Sequence, residues 1–278
     1  GDRAGSGKLM SERTKPGRVL IVAGSDSGGG AGIQADIKTT TALGGFAMTA
    51  ITALTAQNTT GVFGVVPVET EFIAQQMQLV LEDLGADCLK TGMLHSAAVI
   101  ETVVGVLEEK APSLPVVADP VMFAKGGHAL LEPDAMDTLR CRLVPHATLV
   151  TPNIPEAEAL AEMTISGVTD MKRAGETVLA LGAGAVLIKG GHLDGETLTD
   201  VLVTRNGIEQ FSNPRIDTKD THGTGCTLAS AIATGLANGL ALREAVVHGR
   251  DYVRAAILAA PGYGAGHGPM DHGHLLRR

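Results

Sequence analysis

A chain of 278 residues, 44% hydrophobic and 19% charged, carries enough apolar material for a buried core and excludes a largely disordered protein. Its net charge of -8 is spread along the sequence, and no Lys/Arg cluster interleaves with aromatics, which excludes the electrostatic footprint of a nucleic-acid binder. The three cysteines, Cys88, Cys141 and Cys226, lack metal-site spacing, and no apolar run reaches the roughly 18 to 20 residues of a membrane span.

Residues 1–17 are polar, Gly-rich and aperiodic, and are set aside as an irregular segment, with Met10 a candidate natural start. From there, β-branched runs alternate with helical stretches. Val19–Ala23, Met48–Ala53, Cys88–Lys90, Val116–Ala118, Thr148–Val150 and Ala185–Lys189 read as strands. Between them, Gln34–Leu43, Thr70–Leu84, Ala97–Lys110, Pro133–Leu143, Ile154–Met163 and Thr169–Leu181 read as helices. This alternation predicts βαβ units: a sheet of about six parallel strands, helices on both faces, and ligands at the C-terminal strand ends. Thr199–Thr204 and Ile208–Ser212, joined by Arg205-Asn206-Gly207, predict an antiparallel edge hairpin. Two apolar helices, Cys226–Asn238 and Leu242–Leu258, complete a single domain over residues 18–270, with residues 271–278 as a tail.

Four constellations fall at strand ends. The first, Gly24-Ser-Asp-Ser-Gly-Gly-Gly-Ala-Gly32, lies between a strand and a helix. Its Gly30-Ala-Gly-Ile-Gln-Ala35 stretch matches a dinucleotide fingerprint in form, but the next carboxylate after Asp36 is Glu69, so the ribose-binding acid is missing. A tight turn or the floor of a small-substrate pocket remain as readings. The second, Asp220-Thr-His-Gly-Thr-Gly-Cys-Thr227, opens an Ala-rich helix. Its glycines let successive N–H groups converge where the helix dipole is positive, making an anion hole from Gly223, Thr224, Gly225 and Cys226. The same end effect is expected to lower the Cys226 thiol pKa, so that Cys226 takes a proton from an attacking hydroxyl or stabilises the nucleophile.

The third constellation pairs Asp119-Pro120 with Thr151-Pro-Asn-Ile-Pro-Glu156. Asp119 and Glu156 can orient a hydrated Mg²⁺, and Asn153 and Glu156 can equally cap a helix. The fourth is Lys189-Gly-Gly-His192, whose ammonium can neutralise phosphate oxygens in flight. An anion hole, a cation, an acid pair and a possible base together fit phosphoryl transfer.

Read in order, Ala23 to Asp36, Thr55-Ala-Gln-Asn58, Lys90-Thr-Gly-Met93, Thr151 to Glu156, Lys189 to His192 and Thr221-His-Gly-Thr-Gly-Cys226 resemble the motifs of bacterial hydroxymethylpyrimidine/phosphomethylpyrimidine kinases. The resemblance implies an α/β ribokinase-like three-layer sandwich. It also implies ATP and Mg²⁺, a cytoplasmic homodimer, and two successive phosphorylations of 4-amino-5-hydroxymethyl-2-methylpyrimidine in thiamine biosynthesis. By motif, Gly24, Asp36, Gln57, Met93 and Val121 line the pyrimidine pocket, while Asn153, Glu156, Lys189 and His222 serve the nucleotide. In the wider ribokinase group an aspartate base occupies the position of Cys226. Asp220 stands where Asn is common, placing negative charge near the phosphates. A pyridoxal or pyridoxine kinase on the same scaffold and a non-catalytic pyrimidine or nucleotide sensor are the alternatives. The Gly-rich segment Phe123–His128 is expected to form a lid that orders on binding.

Overall fold

A computed structural model of the chain describes residues 15–277; of the expected N-terminal segment, residues 1–14 lie outside the described residues. The strands are β1 (Arg18–Asp26), β2 (Phe46–Asn58), β3 (Gly61–Pro67), β4 (Cys88–Thr91), β5 (Val116–Ala118), β6 (Leu149–Val150), β7 (Ala185–Ile188), β8 (Thr197–Thr204) and β9 (Gly207–Pro214). They form one sheet in the order β3-β2-β1-β4-β5-β6-β7-β8-β9. The pairings from β2 through β7 are parallel, whereas β3 joins β2, and β8 and β9 follow β7, in antiparallel register.

The helices are α1 (Gly32–Ala42), α2 (Thr70–Asp83), α3 (Ala97–Lys110), α4 (Met136–Thr138), α5 (Ile154–Ala161), α6 (Val168–Ala180), α7 (Thr224–Ala237) and α8 (Leu242–Leu258). Strand alternation divides the core between the two faces. Leu20 and Val22 of β1 pack with Ile73, Val103, Leu160 and Met171 from α2, α3, α5 and α6. Val19 and Ile21 point the other way, into Ile33, Leu228 and Val246 from α1, α7 and α8. The chain leaves β1 toward β2 on one side and later returns to place β4 on the other. A crevice therefore opens at the C-terminal end of β1, where parallel sheets bind ligands.

Two elements depart from the sequence reading. β2 runs to Asn58 and turns back into β3, a strand absent from that reading; the Asn58 side chain accepts from the Thr60 amide at 2.9 Å and closes the turn. The expected helix Pro133–Leu143 is broken into short helical pieces of different pitch that run on to His146. Pro145 lacks the amide that a continuing α-helix needs. At the C-terminal end, Asp271 and His272 are buried, and His272 Nε2 lies 2.9 Å from Thr227 Oγ1 on α7.

One ion pair is sealed beneath the crevice. Lys90 Nζ on β4 donates to both oxygens of Asp36 on α1 at 2.9 Å, and Ser230 Oγ on α7 adds a bond of 2.6 Å. Burial alone favours a neutral amine at Lys90, but Asp36 reverses this and raises the ammonium pKa above its ordinary value. Asp36 was expected at the pocket wall and is instead completely buried, its carboxylate used up by Lys90 and Ser230. Asp36→Ala leaves a buried ammonium without its partner. We expect a loss of about 3 to 5 kcal/mol in denaturant-induced unfolding, and a smaller loss for the double change Asp36→Leu with Lys90→Met. Equal losses would contradict the pairing.

Candidate active site

A cavity of about 780 Å³ lies over the C-terminal strand ends, and Gly24, Asp119, Glu156, Lys189, Gly225 and Cys226 all line it. The β1–α1 loop forms its floor. There Asp26 accepts from the amides of Gly28 (2.8 Å), Gly30 (3.1 Å) and Ala31 (2.8 Å), folding the loop around a single carboxylate. His222 Nε2 approaches the same carboxylate at 2.9 Å. Burial works against the Asp26 charge, but the bond to His222 and the loop amides hold its pKa below the ordinary value.

The Gln57 amide lies 3.2 Å from the same ring nitrogen of His222. One nitrogen cannot donate to Asp26 while accepting from Gln57. With the proton on His222 Nε2 serving Asp26, the amide oxygen of Gln57 belongs on the histidine side, and its NH₂ is left for the cavity. Gln57, Met93 and Val121 line the cavity with Gly24; a Cβ built on Gly24 would stand 3.0 Å from Met93 Sδ.

Opposite this floor, α7 begins at Thr224 with Gly223 as its cap at φ 77°, a left-handed conformation that glycine adopts without strain. A Cβ on Gly223 would come within 1.9 Å of Gly30 O, so the two Gly-rich turns meet backbone to backbone. Among the described residues, no protein acceptor takes the amides of Gly223, Gly225 or Cys226, and Thr224 makes one long contact of 3.4 Å to Thr221 O. These are the free donors at the N-terminus of a fourteen-residue helix, on residues that line the cavity.

The charged wall sits against that helix end. Lys189 Nζ lies 3.1 Å from Asp119 Oδ1, and a Cβ on Gly225 would be 2.9 Å from the same ammonium. Burial opposes the Lys189 charge, and Asp119 and Glu156 restore it, leaving the pKa raised. Glu156 is pushed up to about 7, by burial first and by Asp119. Asn153 and Glu156 form a reciprocal capping box at 2.9 and 2.8 Å and also line the cavity, so the capping and ligand readings hold together.

Three expectations change. The Cys226 thiol is not lowered by the helix end; burial, with Asp36 and Asp119 adding negative charge, pushes it up to about 11 despite nearby Lys90 and the Gly32 amide. Asp36 is absent from the wall, as described above. Asp220, expected near the phosphates, does not line the cavity, and its buried Oδ1 faces Gly268. The sequence reading also missed one end of the cavity, where Leu198, Pro214, Ile216, Val253 and Ile257 make an apolar slot between β9 and α8. No motif marks it, because any aliphatic side chain can build such a surface.

The Phe123–His128 segment forms a small hairpin at the rim, bridged between Phe123 and Ala129. Among the described residues, no group of three or more His, Cys, Asp or Glu side chains gathers to hold a metal, and no helix is long and apolar enough to cross a membrane.

A sequence model of the family described as phosphomethylpyrimidine kinase matches residues 26–271. The hydroxymethylpyrimidine/phosphomethylpyrimidine kinase of Bacillus subtilis is 48% identical over 256 residues, covering 92% of this chain and 94% of that protein. The thiamine biosynthesis bifunctional protein ThiED of Geobacter sulfurreducens is 51% identical over 267 residues; the match takes in 95% of this chain but 54% of that longer protein. Among solved structures, the ADP complex of a Bacillus subtilis pyridoxal kinase superposes with a TM-score of 0.87 at 38% identity, covering 94% of this chain and 99% of the other.

The state of Cys226 can be measured directly. A thiol raised from 9.0 to about 11 holds roughly a hundred-fold less thiolate at pH 7, and thiolate is the form that alkylates. We expect iodoacetamide labelling of Cys226, followed by peptide mass spectrometry, to be slow at pH 7 and to climb about ten-fold per pH unit. Labelling faster than a free cysteine at pH 7 would mean that the helix end prevails over burial.

Proposed function

The chain belongs to the phosphomethylpyrimidine kinase family, and from that premise we propose how its cavity performs two successive ATP-dependent phosphorylations in thiamine biosynthesis. The first acts on 4-amino-5-hydroxymethyl-2-methylpyrimidine and the second on its monophosphate. One observation carries the assignment of roles: the start of α7 with its free amides, the Lys189 ammonium beside it and residues of the Gly24–Gly32 loop all line a single cavity.

In this reading the nucleotide base occupies the apolar slot of Leu198, Pro214, Ile216, Val253 and Ile257, and its terminal phosphate meets α7. The substrate hydroxyl oxygen attacks the γ-phosphorus; one P–O bond forms as the bond to ADP breaks. Charge on the transferring group is met by the amides of Gly223, Gly225 and Cys226, with Thr224 contributing less, and by Lys189. Cys226 lies where the hydroxyl proton must leave, and acts as acceptor through the minor thiolate form. Gln57 turns its NH₂ toward a ring nitrogen of the pyrimidine, with Met93, Val121 and Gly24 packing the ring. Asn153 and His222 keep the supporting geometry, Asn153 by fixing Glu156 and His222 by fixing Asp26 and Gln57.

Asp119 and Glu156 suit a hydrated Mg²⁺: two buried hard-oxygen donors beside the cavity, too few for a closed cage and partly uncompensated, as the raised Glu156 pKa indicates. When bound, such an ion neutralises charge on the nucleotide phosphates.

The working unit in this reading is one kinase domain over residues 18–270, with Asp271 and His272 packed onto it, as a homodimer. The edge strand β3 exposes Phe63 (73%) and Val66 (63%), and α2 exposes Phe72 (57%), apolar side chains that a second copy would cover. The free thiols of Cys88, Cys141 and Cys226 suit a reducing cytoplasm.

Side-by-side turnover of the hydroxymethylpyrimidine, its monophosphate and pyridoxal with Mg²⁺ and ATP separates this reading from a pyridoxal kinase. We expect turnover of both pyrimidines and a markedly lower kcat/KM for pyridoxal. Preference for pyridoxal with no use of the monophosphate would overturn it.

A further inference from the structure

The second transfer brings more negative charge into the cavity than the first, and most of the basic side chains that line it are engaged. Lys189 is paired with Asp119 at 3.1 Å, Arg250 with Asp200 at 2.7 Å and His222 with Asp26 at 2.9 Å. Arg215 spends its guanidinium on the carbonyls of Gly191 (3.0 Å) and Gly195 (2.8 Å), and Arg254 donates to Pro214 O at 2.7 Å. Lys125 also lines the cavity, and among the described residues it has neither a salt-bridge partner nor a hydrogen-bond acceptor.

Lys125 is held at a defined place. The hairpin that carries it grows from the strand end bearing Asp119, where the Val121 amide donates to Asp119 O at 2.9 Å. It closes through Ala124 N to His128 O at 2.8 Å and Gly127 N to Ala124 O at 2.9 Å. Gly126 and Gly127, at φ 100° and 90°, make the turn directly after the lysine. Lys125 is exposed at the rim of the cavity with no carboxylate beside it, and it stands near enough to His192 to add to the effect of burial in lowering that ring's pKa. An ammonium at the rim of a cavity, without a counter-ion of its own, is open to a charge-assisted contact with an anionic ligand that enters there.

We propose that Lys125 is a specificity-determining residue that binds the phosphate group of the monophosphate substrate in the second transfer. The nucleotide's terminal phosphate already has the α7 amides and Lys189, so the added dianion is the group without a protein cation. In this step an oxygen of the monophosphate attacks the γ-phosphorus, one P–O bond forms, and the P–O bond to ADP breaks. No hydroxyl proton needs to be removed, because a phosphate monoester is largely dianionic near pH 7. What then limits the step is holding two anions together, and Lys125 offsets that repulsion. The inference rests on the two-step reading above.

The test measures kcat/KM separately for the alcohol and for the monophosphate, at saturating Mg²⁺ and ATP, in wild type, Lys125→Met and Lys125→Arg. Loss of one charge-assisted contact is expected to lower the ratio of the second step to the first by about ten-fold in Lys125→Met. Lys125→Arg is expected to recover most of that ratio. The wild-type KM for the monophosphate should also rise with ionic strength more steeply than that of Lys125→Met. An unmoved ratio, or an equal fall in both steps, would overturn the role of Lys125 while leaving the kinase reading intact. A wild type that never phosphorylates the monophosphate would overturn both.

Discussion

The site depends on a close approach of two main chains. The turn at Gly223 meets the turn at Gly30 with no room for a side chain between them, since a Cβ at Gly223 would stand 1.9 Å from Gly30 O. His222 fastens the contact by reaching across to Asp26, which in turn gathers the amides of its own loop. One loop comes from β1 and the other opens α7, nearly two hundred residues later in the chain, as the separation of 196 between His222 and Asp26 records. Their contact aims the free amides of α7 at whatever rests on the β1 loop. If the turns stood apart, the donors, Lys189 and the floor would be separate features of a surface.

Around the contact most charges that line or underlie the cavity are engaged, Arg215 and Arg254 by backbone carbonyls and the others named here by carboxylates, and the exceptions lie where ligands are expected. Lys90 is matched by Asp36, Arg250 by Asp200 and Lys189 by Asp119. Glu156 is only partly compensated, and Lys125 has no protein partner among the described residues. Burial of Glu156 without full compensation costs stability unless a cation supplies the opposite charge, whereas Lys125, exposed at the rim, is free to meet an anion. The two exceptions have opposite signs and sit on different parts of the wall, as expected of a cavity that receives both a cation and several phosphates.

Much of this was legible in the sequence, for identifiable reasons. β-branched runs alternating with apolar helices gave the parallel sheet, and Arg205-Asn206-Gly207 located the hairpin of β8 and β9. Gly-rich segments at strand ends located the loops, because backbone approach restricts residue choice. Whatever depended on partners distant in sequence was hidden. Asp36 sits in a motif beside the pocket, yet its orientation is decided by Lys90 and Ser230. The Cys226 thiol follows burial and neighbouring carboxylates more than the helix end that the sequence reveals. The apolar slot between β9 and α8 is written in ordinary aliphatic residues and appears only once those elements pack together.

The central claim is that α7 presents its first amides to the terminal phosphate of a nucleotide across from the substrate loop. Its most direct test is a crystal structure with Mg²⁺, a non-hydrolysable ATP analogue and the hydroxymethylpyrimidine. The account predicts γ-phosphate oxygens about 2.7 to 3.1 Å from the amides of Gly223, Gly225 and Cys226, with the hydroxymethyl group between them and Gly24–Gly32. A γ-phosphate bound elsewhere, with those amides still unligated or turned onto protein acceptors, would contradict it.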